Sequence, residues 1–115
     1  MHEFFKVIGD ETRLRCLAII ETYKNVCVCE LVHALELPQS KISRHLSLMK
    51  LGRLVSQRRE NQWVLYSISS DLSDFEQKLI TTIVTKITQS GVFKKDKEHF
   101  LKMENRPQLS REMQV

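Results

Sequence analysis

Leu37-Pro38-Gln39-Ser40-Lys41-Ile42-Ser43-Arg44-His45-Leu46-Ser47-Leu48-Met49 decides the fold of this 115-residue chain. The residue before a proline avoids the helical region, so the chain turns at Leu37. Gln39 and Ser40 then open a helix predicted to reach Leu51, with Gly52 placed to end it as the C′ residue. Ile42, Leu46 and Met49 recur at i, i+4 and i+7 and share one face. Ser40, Lys41, Arg44 and Ser47 fall on the opposite face. Small hydroxyls let a helix approach a groove closely, while Lys and Arg reach phosphates and guanine edges. Gln39, Ser40, Lys41, Ser43 and Arg44 are therefore the residues expected to touch duplex DNA. His45, at the edge of the buried face, reads as a phosphate contact or as a satisfied boundary histidine rather than as a metal ligand.

Upstream, a short helix is expected from Cys27 or Val28 to Leu35, so the two helices and their tight turn read as helix-turn-helix. Downstream, Leu54–Arg59 and Trp63–Ile68 are rich in β-formers and separated by Glu60-Asn61-Gln62. They predict a hairpin, a wing, with Arg58 and Arg59 beside its turn for the DNA backbone or minor groove. Before the helix pair, Glu3–Ile8 is a short apolar segment. Asp10 is then a good N-cap for a helix over Glu11–Tyr23 that is apolar around most of its girth and hence central. From Ser70 to Ser90 the period is helical again, with Leu72, Phe75, Leu79, Ile83 and Ile87 in one stripe widened by Ile80 and Val84. No neighbouring segment claims that stripe, and a second copy of the chain is its simplest partner. Residues 1–92 are read as one domain. Residues 93–115 are read as a polar tail, partly helical or disordered, with a helical turn or two over 96–104.

Charge is unevenly placed. Between Pro38 and Ile68 six basic residues stand against Glu60 alone, a local net of +5 in a chain whose total is +4. Solvated charges on an exposed helix are the lesser reading even of this helix alone. The helix before it, the wing and this asymmetry favour a polyanion partner further. No apolar run is long enough to span a membrane and no signal-peptide pattern opens the chain, so a cytoplasmic protein is expected.

Three cysteines are an odd count, which in a reducing compartment points to metal or redox chemistry. Cys27 and Cys29 are one residue apart, too close for an ordinary relaxed disulfide, at the start of a helix that would favour their thiolates. Paired thiolates suit soft ions, namely trivalent arsenic or antimony, cadmium and lead. If both sat on a regular helix their side chains would point about 200° apart. Gripping one ion would then unwind the first turn, the turn that supports the DNA-facing helix. A strained disulfide or another oxidation product would distort the same turn. Cys16 reads chiefly as a small buried hydrophobe. A thiol–disulfide enzyme would use the same spacing, yet no thioredoxin-like βαβ pattern accompanies it, so the chain is read as a non-enzyme.

Asp10-Glu11-Thr12-Arg13-Leu14, Val26-Cys27-Val28-Cys29-Glu30-Leu31, Lys41-Ile42-Ser43-Arg44-His45-Leu46 and Gly52-Arg53-Leu54-Val55, in order over about residues 3–90, resemble the ArsR/SmtB family of metal-sensing repressors, its arsenite-responsive branch above all. The resemblance implies an α+β winged helix-turn-helix, mainly helical, dimerised through terminal helices. It implies a homodimer that needs no cofactor to bind operator DNA and is released by an inducer, here arsenite or antimonite, with cadmium or lead as alternatives, at Cys27 and Cys29. A redox or reactive-sulfur repressor of the same fold is the other reading. Arsenite sensors of this type place a third cysteine three residues past the pair, where this chain has Val32. Cys16, a small cellular thiol or water would have to supply the missing ligand. The Asp/His pattern of the family's zinc and nickel sensors is not matched: Leu72–Ser90 holds Asp74 and Glu76 but no histidine, and His99 stands apart.

Overall fold

The apolar girth of the second helix puts it at the centre. The computed structural model describes residues 2–107, and in it Cys16, Leu17, Ala18, Ile19 and Ile20 are fully buried one after another. They belong to α2 (Glu11–Tyr23), against which α1 (His2–Ile8), α3 (Val28–Leu35), α4 (Gln39–Leu51), α5 (Asp74–Ile87) and α6 (Gly91–Lys102) all pack. Asp10 caps α2 as its sequence predicts, its carboxylate accepting the Arg13 backbone N–H at 3.0 Å. α3 ends on Glu36 in the left-handed conformation (φ 56°), and Leu37-Pro38 leads into α4. Ile42, Leu46 and Met49 are buried, as their spacing requires.

Gly52 corrects one expectation. Its φ is −79°, and the left-handed residue after α4 is Arg53 (φ 60°). Glycine is needed there for room: a Cβ at Gly52 would lie 2.5 Å from Val7 Cγ2 of α1.

The wing is β2 (Val55–Glu60) paired antiparallel with β3 (Trp63–Ile68). Glu60 faces Trp63, so the turn is the two residues Asn61-Gln62, with Asn61 at φ 56°. A third strand, β1 (Val26–Cys27), joins the other side of β3 and gives the order β1-β3-β2. Two residues are too few to leave a period in the sequence. With α3 and α4 this completes a winged helix-turn-helix. No helix among the described residues is long and apolar enough to cross a membrane.

After the wing, Ser73 caps α5 by accepting the Glu76 N–H at 3.2 Å. The residues that widen the α5 stripe are the ones facing the core: Ile80 and Val84 are buried against α2, while Phe75 is 51% exposed. Leu72, Leu79 and Ile83 remain half-buried.

The segment read as a tail from residue 93 carries most of α6, a twelve-residue helix whose Phe93, Asp96 and Phe100 are buried. Asp96 accepts two hydrogen bonds from the Arg15 guanidinium, at 2.8 and 3.0 Å, and Arg15 also donates to the Leu35 carbonyl at 3.1 Å. One guanidinium thus ties α2, α3 and α6 together. Phe100 stacks on Tyr23, ring centroids 4.2 Å apart. Residues 108–115, the last part of that tail with Met113, lie outside the described residues. Because Phe100 is fully buried, Phe100→Ala should cost about 3–5 kcal/mol of stability, measured as a lower urea midpoint. A loss under 1 kcal/mol would mean that α6 is not part of the cooperative core.

Candidate nucleic-acid interface and cysteine pair

Along α4 the structure keeps Gln39, Ser40, Lys41 and Arg44 exposed and Ser43 half-buried. His45 does not join them. It is 5% exposed, and its Nδ1 lies 3.2 Å from Arg13 Nη1 and 3.8 Å from the Asp10 carboxylate. Guanidinium groups only donate, so Nδ1 is the acceptor and the ring is neutral. Burial, and then the positive charges of Arg44, Arg13 and Lys41, hold its pKa below the usual 6.5, against the opposing pull of Asp10. This is the geometry of a satisfied boundary histidine. Arg13 also donates to the Val7 carbonyl. Asp10, Arg13 and His45 therefore form a junction that fixes α4 against α1 and the start of α2.

On the wing, Arg58 and Arg59 are both exposed but project from opposite faces, because side chains alternate along a strand. Arg58 is held by Glu60, two residues on, at 2.9 Å. Its cross-strand partner is Leu65, whose partner on the other side is Cys27. Cys27, Leu65 and Arg58 thus form one row across the sheet.

The two sulfurs converge, where a pair on a regular helix would diverge. Of the two starts expected for α3 the structure takes Val28, which leaves Cys27 outside the helix. It is the last residue of β1 and the N-cap of α3, with extended backbone (φ −86°, ψ 161°), and Cys29 follows in the first turn. An extended residue followed by a helical one brings the side chains together with the Cα atoms 5.4 Å apart, and the two sulfurs are joined as a disulfide. The close spacing thus permits a bridge, and two sulfurs can converge with the first turn of α3 intact. Cys27 is buried and Cys29 half-buried, both in a small cluster with Leu65 and Trp63. Cys16 lies elsewhere, inside the main core, where burial pushes its thiol up to about 12. It lies outside the cluster that holds the pair. Among the described residues no three His, Cys, Asp or Glu side chains gather as a metal site. His99 binds the Ala34 carbonyl at 3.1 Å and sits 3.7 Å from Glu36.

Sequence reasoning missed Glu30 and Arg106. Glu30 is fully buried, with one oxygen accepting the Cys27 N–H at 3.0 Å and the other accepting Arg106 Nε at 3.1 Å. A Glu three residues after an N-cap is the available signal for the first contact. Nothing local announces the second, which spans 76 positions.

Comparison with known proteins places this geometry in context. The family model for bacterial regulatory proteins of the arsR family matches residues 10–57. The arsenic resistance transcriptional regulator ArsR1 of Pseudomonas putida is 39% identical over 80 residues, 70% of this chain and 62% of that protein. The arsenical resistance operon repressor of Escherichia coli is 37% identical over 78 residues, 68% of this chain and 67% of that one. The chain therefore spans about two thirds of the length of these curated relatives. Among solved structures, reduced HlyU from Vibrio cholerae superposes with a TM-score of 0.62 at 28% identity, covering 76% of this chain and 84% of that one.

The neutral His45 has a consequence for acid stability. Its folded pKa lies below the ordinary value, so the unfolded state takes up the proton first as pH falls. Its contribution is complete above about pH 6.5 and is lost as pH drops from there toward the folded pKa. Wild type should therefore lose more stability than His45→Gln when urea unfolding is compared on the two sides of that pH. Parallel pH profiles for the two proteins would rule this out.

Proposed function

Because the chain belongs to the arsR family of bacterial regulatory proteins, we propose that it is a cytoplasmic, homodimeric transcriptional repressor released from operator DNA by a thiophilic ion at Cys27 and Cys29. The exposed face of α4 enters the major groove. Arg44 and Gln39 read base edges, Ser40, Lys41 and Ser43 hold the backbone, and Arg58 and Arg59 of the wing contact flanking phosphates. The dimer forms through the apolar stripe of α5 together with α1, where Phe75 and Phe5 stand 51% and 47% exposed. No cofactor is required for DNA binding.

The observation that carries the inducer half is the convergence of two sulfurs at the β1–α3 junction. In the reduced protein, arsenite or antimonite takes both as thiolates, with cadmium or lead as weaker fits. The third arsenic position goes to water or a small thiol, since Val32 stands where another cysteine would be needed and Cys16 lies in the main core, outside the pair's cluster. Capture works on both elements that touch DNA: on α4 through α3, and on the wing through the row Cys27–Leu65–Arg58. A hundredfold loss of operator affinity needs about 2.7 kcal/mol of preference for the released state.

Cys27→Ser and Cys29→Ser should keep operator affinity and lose the response to arsenite, measured by fluorescence anisotropy of labelled operator. Release of both variants at the wild-type arsenite concentration would refute the assignment. Arg44→Ala should weaken operator binding by about 1–3 kcal/mol and relax specificity at one base pair. Unchanged affinity would remove Arg44 from the reading set. The disulfide itself favours a second reading, a redox repressor of the same fold. In that case peroxide or polysulfide, not arsenite, changes operator affinity in the parallel titration, and a reductant reverses it.

A further inference from the structure

Glu30 is the deepest charge near the sulfurs, and its partner comes from the far end of the chain. Its carboxylate is fully buried, and it holds the Cys27 N–H with one oxygen and Arg106 with the other. The Arg106 guanidinium lies over the Phe100 ring, 4.4 Å from its centroid, and Phe100 is itself stacked on Tyr23. A planar guanidinium suits both the ring face and the carboxylate. A buried carboxylate that loses a guanidinium partner is held less firmly in place. The bond from Glu30 to the Cys27 N–H would loosen with it.

We propose that Arg106, docked on Glu30, is a positioning residue for the cysteine pair, so that the segment after α6 sets how readily Cys27 and Cys29 open to a thiophilic ligand. The proposal rests on the pair being the sensor. Cys27 is 1% exposed, so a ligand reaches its sulfur only when the β1–α3 junction opens. Opening breaks the bond between the Cys27 N–H and Glu30, and Arg106 resists this by anchoring Glu30 from the other side. The latch is built from α6 and the residues that follow it, outside the segment matched by the family model.

The test uses the reduced full-length protein and phenylarsine oxide. Two arsenic–sulfur bonds form, and the oxide oxygen leaves as water with the two thiol protons. The rate is followed as loss of titratable thiol under native conditions. Arg106→Ala should capture the probe about tenfold faster, as expected when a local opening equilibrium is eased by that factor. Arg106→Lys should stay near wild type. Glu30→Gln keeps an acceptor for the Cys27 N–H but needs no counter-charge, so adding Arg106→Ala to it should change the rate by less than about twofold. Operator affinity without the probe should be the same in the Arg106 variants as in wild type. Equal rates for wild type and Arg106→Ala, or the same acceleration in the Glu30→Gln background, would overturn the latch. If Arg106→Ala does not fold, Arg106→Gln, which keeps the stem over Phe100 and removes the charge, carries the same expectation. Capture by wild type without loss of operator affinity would instead strike the sensor reading, while the rates still judge the latch.

Discussion

Eight residues make barely two turns, too few for a helix to hold itself in water, so α3 depends on what grips its ends. At its start, Cys27 is tied into the sheet through Leu65 and into the helix through Glu30. At its finish, the Ala34 carbonyl meets His99 and the Leu35 carbonyl takes a hydrogen bond from Arg15, which Asp96 orients. Two of these groups, Asp96 and His99, come from α6, and Arg106, just beyond it, holds Glu30. The platform on which α4 stands is therefore fastened by the last elements of the chain, although the helix-turn-helix itself is local in sequence.

That arrangement gives the sulfur pair two neighbours of different stiffness. On one side is the sheet, whose hydrogen bonds run from β1 through β3 into the hairpin. On the other is a short helix whose end groups are supplied from a distance. A change at the sulfurs meets less resistance on the helical side, because a short helix held by a few polar contacts has less to lose than a paired strand. Hydrogen bonding also explains why the four buried polar side chains among the described residues are tolerated in so small a core. Glu30, His45, Ser69 and Asp96 each meet a named partner, and no buried side-chain polar atom among the described residues lacks one.

The fold was legible wherever period and punctuation agreed. Ile42, Leu46 and Met49 mark the buried face of α4, Asp10 caps α2, and the β-formers on either side of Glu60-Asn61-Gln62 give the wing. It was illegible where a residue's surroundings come from far along the chain. Asp96 sits among three lysines and looks solvated, yet it lies on one face with Phe93 and Phe100 and meets Arg15 from 81 positions away. β1 is too short to show alternation, so the sequence leaves the start of α3 open between Cys27 and Val28 and does not show the sulfurs converging. His45, one step from the stripe, meets Arg13 from 32 positions away, a contact its local sequence does not announce.

Trp63 is the chain's single tryptophan, and it packs in the same small cluster as Cys27, Cys29 and Leu65. Sulfur quenches indole emission at contact, and more strongly as a disulfide than as a thiol. The molecule thus carries an intrinsic optical probe beside the atoms whose chemical state matters most. Because that indole also lies on β3, its emission senses both the oxidation or occupancy of the sulfurs and any shift of the hairpin, with no label attached.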